Sequence, residues 1–98
     1  MQMYIQWHEA KRRRNLRVHG IDFADLAHFF DGDLYTREDF RYAYSERRFQ
    51  SIGVLKGFAV FVVWTPLGPD EDDIHVISAR RARRHETQDW YTFYSRRH

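Results

Sequence analysis

The run FAVFVVWT, residues 58–65, constrains the fold more than any other stretch of this chain. It is almost wholly apolar, rich in β-branched and aromatic residues, and followed by the turn-forming Pro66, Gly68 and Pro69, which suits a central strand of a sheet. Just before it, Phe49, Ser51, Gly53 and Leu55 alternate with Arg48, Gln50, Ile52 and Val54, the period of a strand. Lys56-Gly57 between the two runs is a tight-turn signal, so they fold on each other as a hairpin. A central strand needs a second neighbour. Ile74–Ser78, beyond the acidic turn-rich connector of residues 66–73, supplies it.

The remaining elements follow from breakers and periodicity. Met3, Ile5 and Trp7 alternate as an opening strand, and Leu34–Thr36 reads as a short edge strand before a polar aromatic loop over residues 37–46. Residues 8–19 contain no breaker and stop at Gly20, suited to the left-handed C′ position of a first helix. A second helix has Asp22 as N-cap, places Phe23, Leu26, Ala27 and Phe30 on one face, and ends at Gly32. A third runs from about Arg83 to Arg96 with Trp90, Phe93 and Tyr94 along one side. The expected class is α+β, an antiparallel sheet of about four strands with two N-terminal helices and one C-terminal helix, forming a single domain over residues 1–98. At 43% apolar residues the chain can build one core, whereas it holds no apolar span of membrane length and no leader-like segment, so a cytoplasmic location is expected.

Charge is unevenly divided. Residues 1–19 carry +4, residues 20–77 carry −6 and residues 78–98 carry +4, and fourteen of the sixteen cations are arginine. Guanidinium grips phosphate bidentately, so this choice favours a polyanionic partner, although pairing with internal carboxylates would explain it equally well. The absence of cysteine excludes disulfides and thiolate chemistry. The six histidines form neither HExxH nor His-x-His, and phosphate-loop, G-x-S-x-G and paired-carboxylate motifs are missing. No cofactor or metal is expected.

Lys11, Asn15 and His19 recur every four residues and make one ridge of the first helix, with His19 in the last turn, where the helix dipole favours imidazolium or a simple capping role. Arg47 and Arg48 point to opposite sides of their strand, so at most one faces any given site. Arg80 and Arg81 close the last strand, and Arg83 and Arg84 begin the next helix, where unpaired cations oppose the dipole at a cost of about 0.3–1 kcal/mol each. A bound anion would reverse that cost; the acidic run of residues 70–73 or Glu86 would neutralise it internally.

Three segments in order resemble the BrnT-type toxins of bacterial type II toxin–antitoxin pairs. They are Trp7, Glu9, Lys11, Asn15, His19, Gly20, Ile21 and Phe23; then Arg48, Phe49, Ile52 and Gly53; then Ile77, Ser78, Ala79, Arg80, Arg81 and Ala82, with Glu86 beyond. Two positions depart from the family pattern: His8 stands where an Asp is common, and Val18 where a Lys precedes the His-Gly pair. The resemblance implies a RelE-like fold, metal-independent RNA cleavage that stops translation, and neutralisation by a ribbon-helix-helix antitoxin of the BrnA type. Metal-free cleavage needs proton transfer and charge stabilisation at phosphorus. With the resemblance, the expected catalytic set is Lys11 and His19 for protons and Arg48, Arg80 and Arg83 for phosphate, with Asn15, Arg47, Ser78 and Arg81 binding substrate and Glu46 a weaker base candidate. Two other functions fit the residues: a non-catalytic arginine-rich nucleic-acid- or protein-binding module, and a docking partner using Trp90, Phe93 and Tyr94, aromatics that a core would also claim.

Overall fold

A computed structural model describes residues 4–98. The elements run β1 (Ile5–Gln6), α1 (Glu9–His19), one 3-10 turn (Phe23–Asp25), α2 (Leu26–Asp31), β2 (Tyr35–Glu38), β3 (Phe49–Leu55), β4 (Phe58–Leu67), β5 (Asp73–Arg81) and α3 (Arg84–Arg97). The strands form one sheet in the order β1-β5-β4-β3-β2. The α+β class holds, but the sheet has five strands and is mixed, because β1 lies parallel to β5 with Ile5 opposite Ile74 and Gln6 opposite His75. Parallel partners from opposite ends of a chain share no turn, so nothing local announces them. Met3 of the expected opening strand lies outside the described residues.

The hairpin forms as its residues require. Leu55 pairs with Phe58, and Lys56 and Gly57 both take positive φ (50° and 90°), the conformation of a two-residue turn whose twist matches that of the flanking strands. Val60, Phe61, Val62 and Val63 are all buried, as a central strand demands. Val60 and Val62 meet Phe23, Leu26, Phe29 and Phe30 on one face of the sheet. Phe61 and Val63 join Ile52, Tyr35, Ile77, Ala82 and Trp90 on the other. At Gly53 a Cβ would stand 2.6 Å from Leu34 and 3.0 Å from Phe29, so α2 reaches β3 this closely only over a bare backbone.

Helix α1 is anchored in an unusual way. Its one buried residue is Asn15. That carboxamide donates to the carbonyls of Ile21 (2.9 Å) and Ala79 (2.8 Å) and accepts from the Ala79 N–H (3.1 Å), taking the place of a neighbouring strand along β5 where β1 has ended. Gly20 closes α1 with φ 74° and an N–H bond to Leu16 of 2.9 Å. The expected second helix opens as a 3-10 turn capped by Asp22, which accepts from Ala24 N–H, before becoming helical at Leu26. At the other end, Trp90 packs on the second cluster and donates to the Asp33 carbonyl (3.0 Å), Phe93 meets Tyr35 and Tyr94 stacks on Trp90. These aromatics serve packing between α3 and the β2–β3 side of the sheet.

Candidate active site

Strand β5 runs from Asp73 to Arg81, three residues past the expected Ile74–Ser78 run, and so takes in the first two arginines of the basic cluster. Arg80 and Arg81, expected at the strand's end, are paired within the sheet, and this splits the cluster. Arg80 lies over Phe61 (4.1 Å from guanidinium carbon to ring centre), and Arg81 lies over Phe58 (4.0 Å) on the opposite face. Arg83 precedes α3 and Arg84 starts it. Four side chains adjacent in sequence therefore leave in different directions.

Arg80 is held internally. It makes paired bonds of 2.8 and 2.9 Å to Glu86, a carboxylate that is 4% exposed and also accepts the Arg83 N–H at 2.7 Å. Burial pushes the Glu86 carboxyl up, but the bonds from Arg80 and the Arg83 N–H outweigh it and hold the group below the usual glutamate value. Of the two internal partners weighed for the cluster, Glu86 is thus the one used. The acidic connector sends Glu71 instead to Arg47, which also pairs with Glu38 and covers Phe49. Arg47 and Arg81 sit apart from Arg80 on the opposite face. Arg47 and Arg48 precede β3 and do not alternate within it; Arg48 lies over Tyr44 (4.0 Å) and pairs with Glu46 at 2.8 Å in an exposed setting.

Four of the expected residues do meet. Lys11, Asn15, His19 and Ser78 line a groove of about 250 Å³ between α1 and β5, together with Arg14, Val18 and Ile77. The helix residues follow the i, i+3, i+4, i+7, i+8 stripe, the side that an ordinary surface helix turns to the core. Regular alternation would turn Ile77 and Ser78 to opposite faces, yet both reach the groove. They can because Ser78 pairs with Val63 while Val76 pairs with Trp64, leaving Ile77 as an extra residue that bulges the strand. Asn15 was expected to orient substrate, but its amide is fully occupied by backbone and its role here is to fix the groove wall. Among the described residues no carboxylate pairs with Lys11 or Arg14, so the groove keeps its positive charge. Val18 lines it where the family pattern would add a lysine.

Two residues beside the groove escaped the sequence reading. His8 and His75 meet edge to face with ring centres 4.8 Å apart, His75 on β5 and His8 just before α1. Burial, then repulsion from His8 and Lys11, hold His75 below the ordinary histidine value, while Glu46 acts in the opposite sense. The partnership follows from β1 lying parallel to β5, so it left no mark in spacing. The loop carrying Glu46 is also more ordered than its composition suggests. Buried Asp39 accepts from Arg41 N–H (3.1 Å), Nε (2.9 Å) and Nη2 (2.8 Å) and from Tyr44 OH (3.2 Å), and the Arg41 bonds bring its carboxyl down to about 2. Among the described residues no group of three or more His, Asp or Glu is placed to hold a metal ion.

The family model for the ribonuclease toxin BrnT of type II toxin–antitoxin systems matches residues 7–86. The chain belongs to the BrnT toxin family. The crystal structure of the Brucella abortus ribonuclease toxin BrnT resembles it with a TM-score of 0.67 and 32% identity, covering 85% of this chain and 100% of that one. No curated protein sequence matches it. The BrnT match covers the hairpin and both elements that build the groove, α1 and β5, and leaves most of α3 outside.

Proposed function

We propose that this BrnT-family chain is an endoribonuclease that cleaves RNA without a metal ion and thereby stops translation in the cytoplasm, and that a ribbon-helix-helix antitoxin of the BrnA type neutralises it. The observation that carries the reading is the groove in which Lys11, Arg14 and His19 stand free of carboxylates beside Ser78. RNA brings a phosphodiester and an adjacent 2′-hydroxyl; the groove offers fixed positive charge for the developing phosphorane and two side chains with exchangeable protons. Lys11 and His19 handle protons and charge, Ser78 orients the strand, and Arg14 and Arg48 hold phosphate. Arg83, at the exposed start of α3, serves phosphates further along. Arg80 supports the fold through Glu86, so phosphate holding passes to the less committed arginines.

The test is induced expression with a metabolic label for protein synthesis, alongside purified protein incubated with cellular RNA in EDTA. Wild type is expected to arrest labelling and cut RNA with chelator present, and Lys11→Ala and His19→Ala to do neither; equal behaviour of all three would refute the assignment. Co-expression of an adjacent ribbon-helix-helix partner should restore labelling. A second reading, a binding module that never cleaves, draws on the internal pairing of Arg48 and Arg80. It predicts affinity falling steeply with salt and intact RNA after long incubation.

A further inference from the structure

His8 and His75 form the one contact between imidazoles among the described residues. His75 projects from β5 between Gln6 of β1 and Thr65 of β4, three residues before Ser78 of the groove. Lys11 lines the groove and its N–H bonds the His8 carbonyl at 3.0 Å, so the imidazole pair and the groove adjoin at the start of α1. Glu46 of the 39–48 loop, which acts on His75 in the opposite sense, is itself bound to Arg48. Among the described residues neither imidazole is spent on a hydrogen bond, so their ring nitrogens are available to a ligand.

Resting on the ribonuclease reading, we propose that His75 is the general base that removes the 2′-hydroxyl proton, with His8 as the residue that positions and tunes it. The 2′ oxygen then attacks phosphorus, the bond from phosphorus to the 5′ oxygen breaks, and the departing oxygen takes a proton from the Lys11 ammonium. The products are a 2′,3′-cyclic phosphate and a 5′-hydroxyl, and proton exchange with water restores both side chains. A base must be neutral to act. Partial burial, then the neighbouring His8 and Lys11, favour the neutral ring, the condition for proton abstraction near neutral pH, while Glu46 is restrained by Arg48.

The experiment compares wild type with His75→Gln, His75→Asn and His8→Gln on polysomes and on deproteinised RNA from the same cells, across pH 5 to 9. Wild type should leave cyclic-phosphate ends and lose rate toward low pH. Both His75 variants should cleave on the order of 100-fold more slowly without that acid limb, and still bind a 2′-O-methyl RNA within twofold of wild type. His8→Gln should move the acid limb to higher pH, because a neighbour that disfavours charge on His75 is gone; a residue that merely packs would not shift it. Full rate and an unchanged pH profile in a folded His75 variant would overturn the assignment of the base and leave the ribonuclease reading standing. Absence of cleavage by wild type in either preparation would overturn both.

Discussion

Two basic segments of this chain look interchangeable on paper and are opposites in space. In α1, Arg12 is taken by Glu9 and Asp22, but Lys11 and Arg14 face the groove without a carboxylate partner among the described residues. In the segment 80–84, strand geometry divides the side chains between two faces and a helix start, and the best placed of them, Arg80, is locked to Glu86. A run of like charges is thus a poor guide to a binding site. What matters is the backbone period beneath it: a helix gathers residues three and four apart, whereas a strand scatters neighbours.

The contrast predicts different losses. Arg80→Ala strands the Glu86 carboxylate in a buried position and should cost about 3 kcal/mol of stability, read in urea or thermal unfolding; a variant as stable as wild type would place Arg80 back among the substrate groups. Its effect on growth arrest cannot be separated from folding, which makes Lys11→Ala the sharper probe. That substitution should lower RNA cleavage on the order of 100-fold with the unfolding midpoint unchanged. Asn15→Ala, in the same groove wall, should behave like the Arg80 variant and not like its neighbour: it orphans backbone groups of Ala79 and Ile21 and should cost about 2 kcal/mol.

Acid should act on the locked groups first. Asp39 at about 2 and Glu86, also held low, bind fewer protons folded than unfolded. Their contribution is complete above the unfolded carboxylate range of about 4 and fades as pH falls toward 2, so a chevron or melting series across that window should show stability dropping with acidification. Arg81→Ala, exposed on Phe58 and away from the groove, should change stability by no more than about 0.5 kcal/mol and leave cleavage intact. A large loss of activity there would show that substrate reaches both faces.

The sequence was legible where order is local. The hairpin, its Lys56-Gly57 turn, the Gly20 stop and the shared ridge of Lys11, Asn15 and His19 all follow from residues within a few positions of one another. Illegible were the relations across the chain. The parallel seat of β1, the contact of His8 with His75 and the capture of Asn15 by Ala79 each depend on which strand lies at the sheet edge. The bulge at Ile77 is similar: apolar alternation shows an irregular strand, but only the pairing partner decides which residue is extra. Asp39 had a visible chemical type and no visible burial.

The bond between Asn15 and Ala79 joins residues 64 apart. At roughly 5–20 residues per second of synthesis, roughly 3–13 s pass between making one wall of the groove and making the other. A nascent chain therefore carries the α1 wall of the groove for that interval with nothing to face it, and Asn15 finds its backbone partners only once β5 has been made.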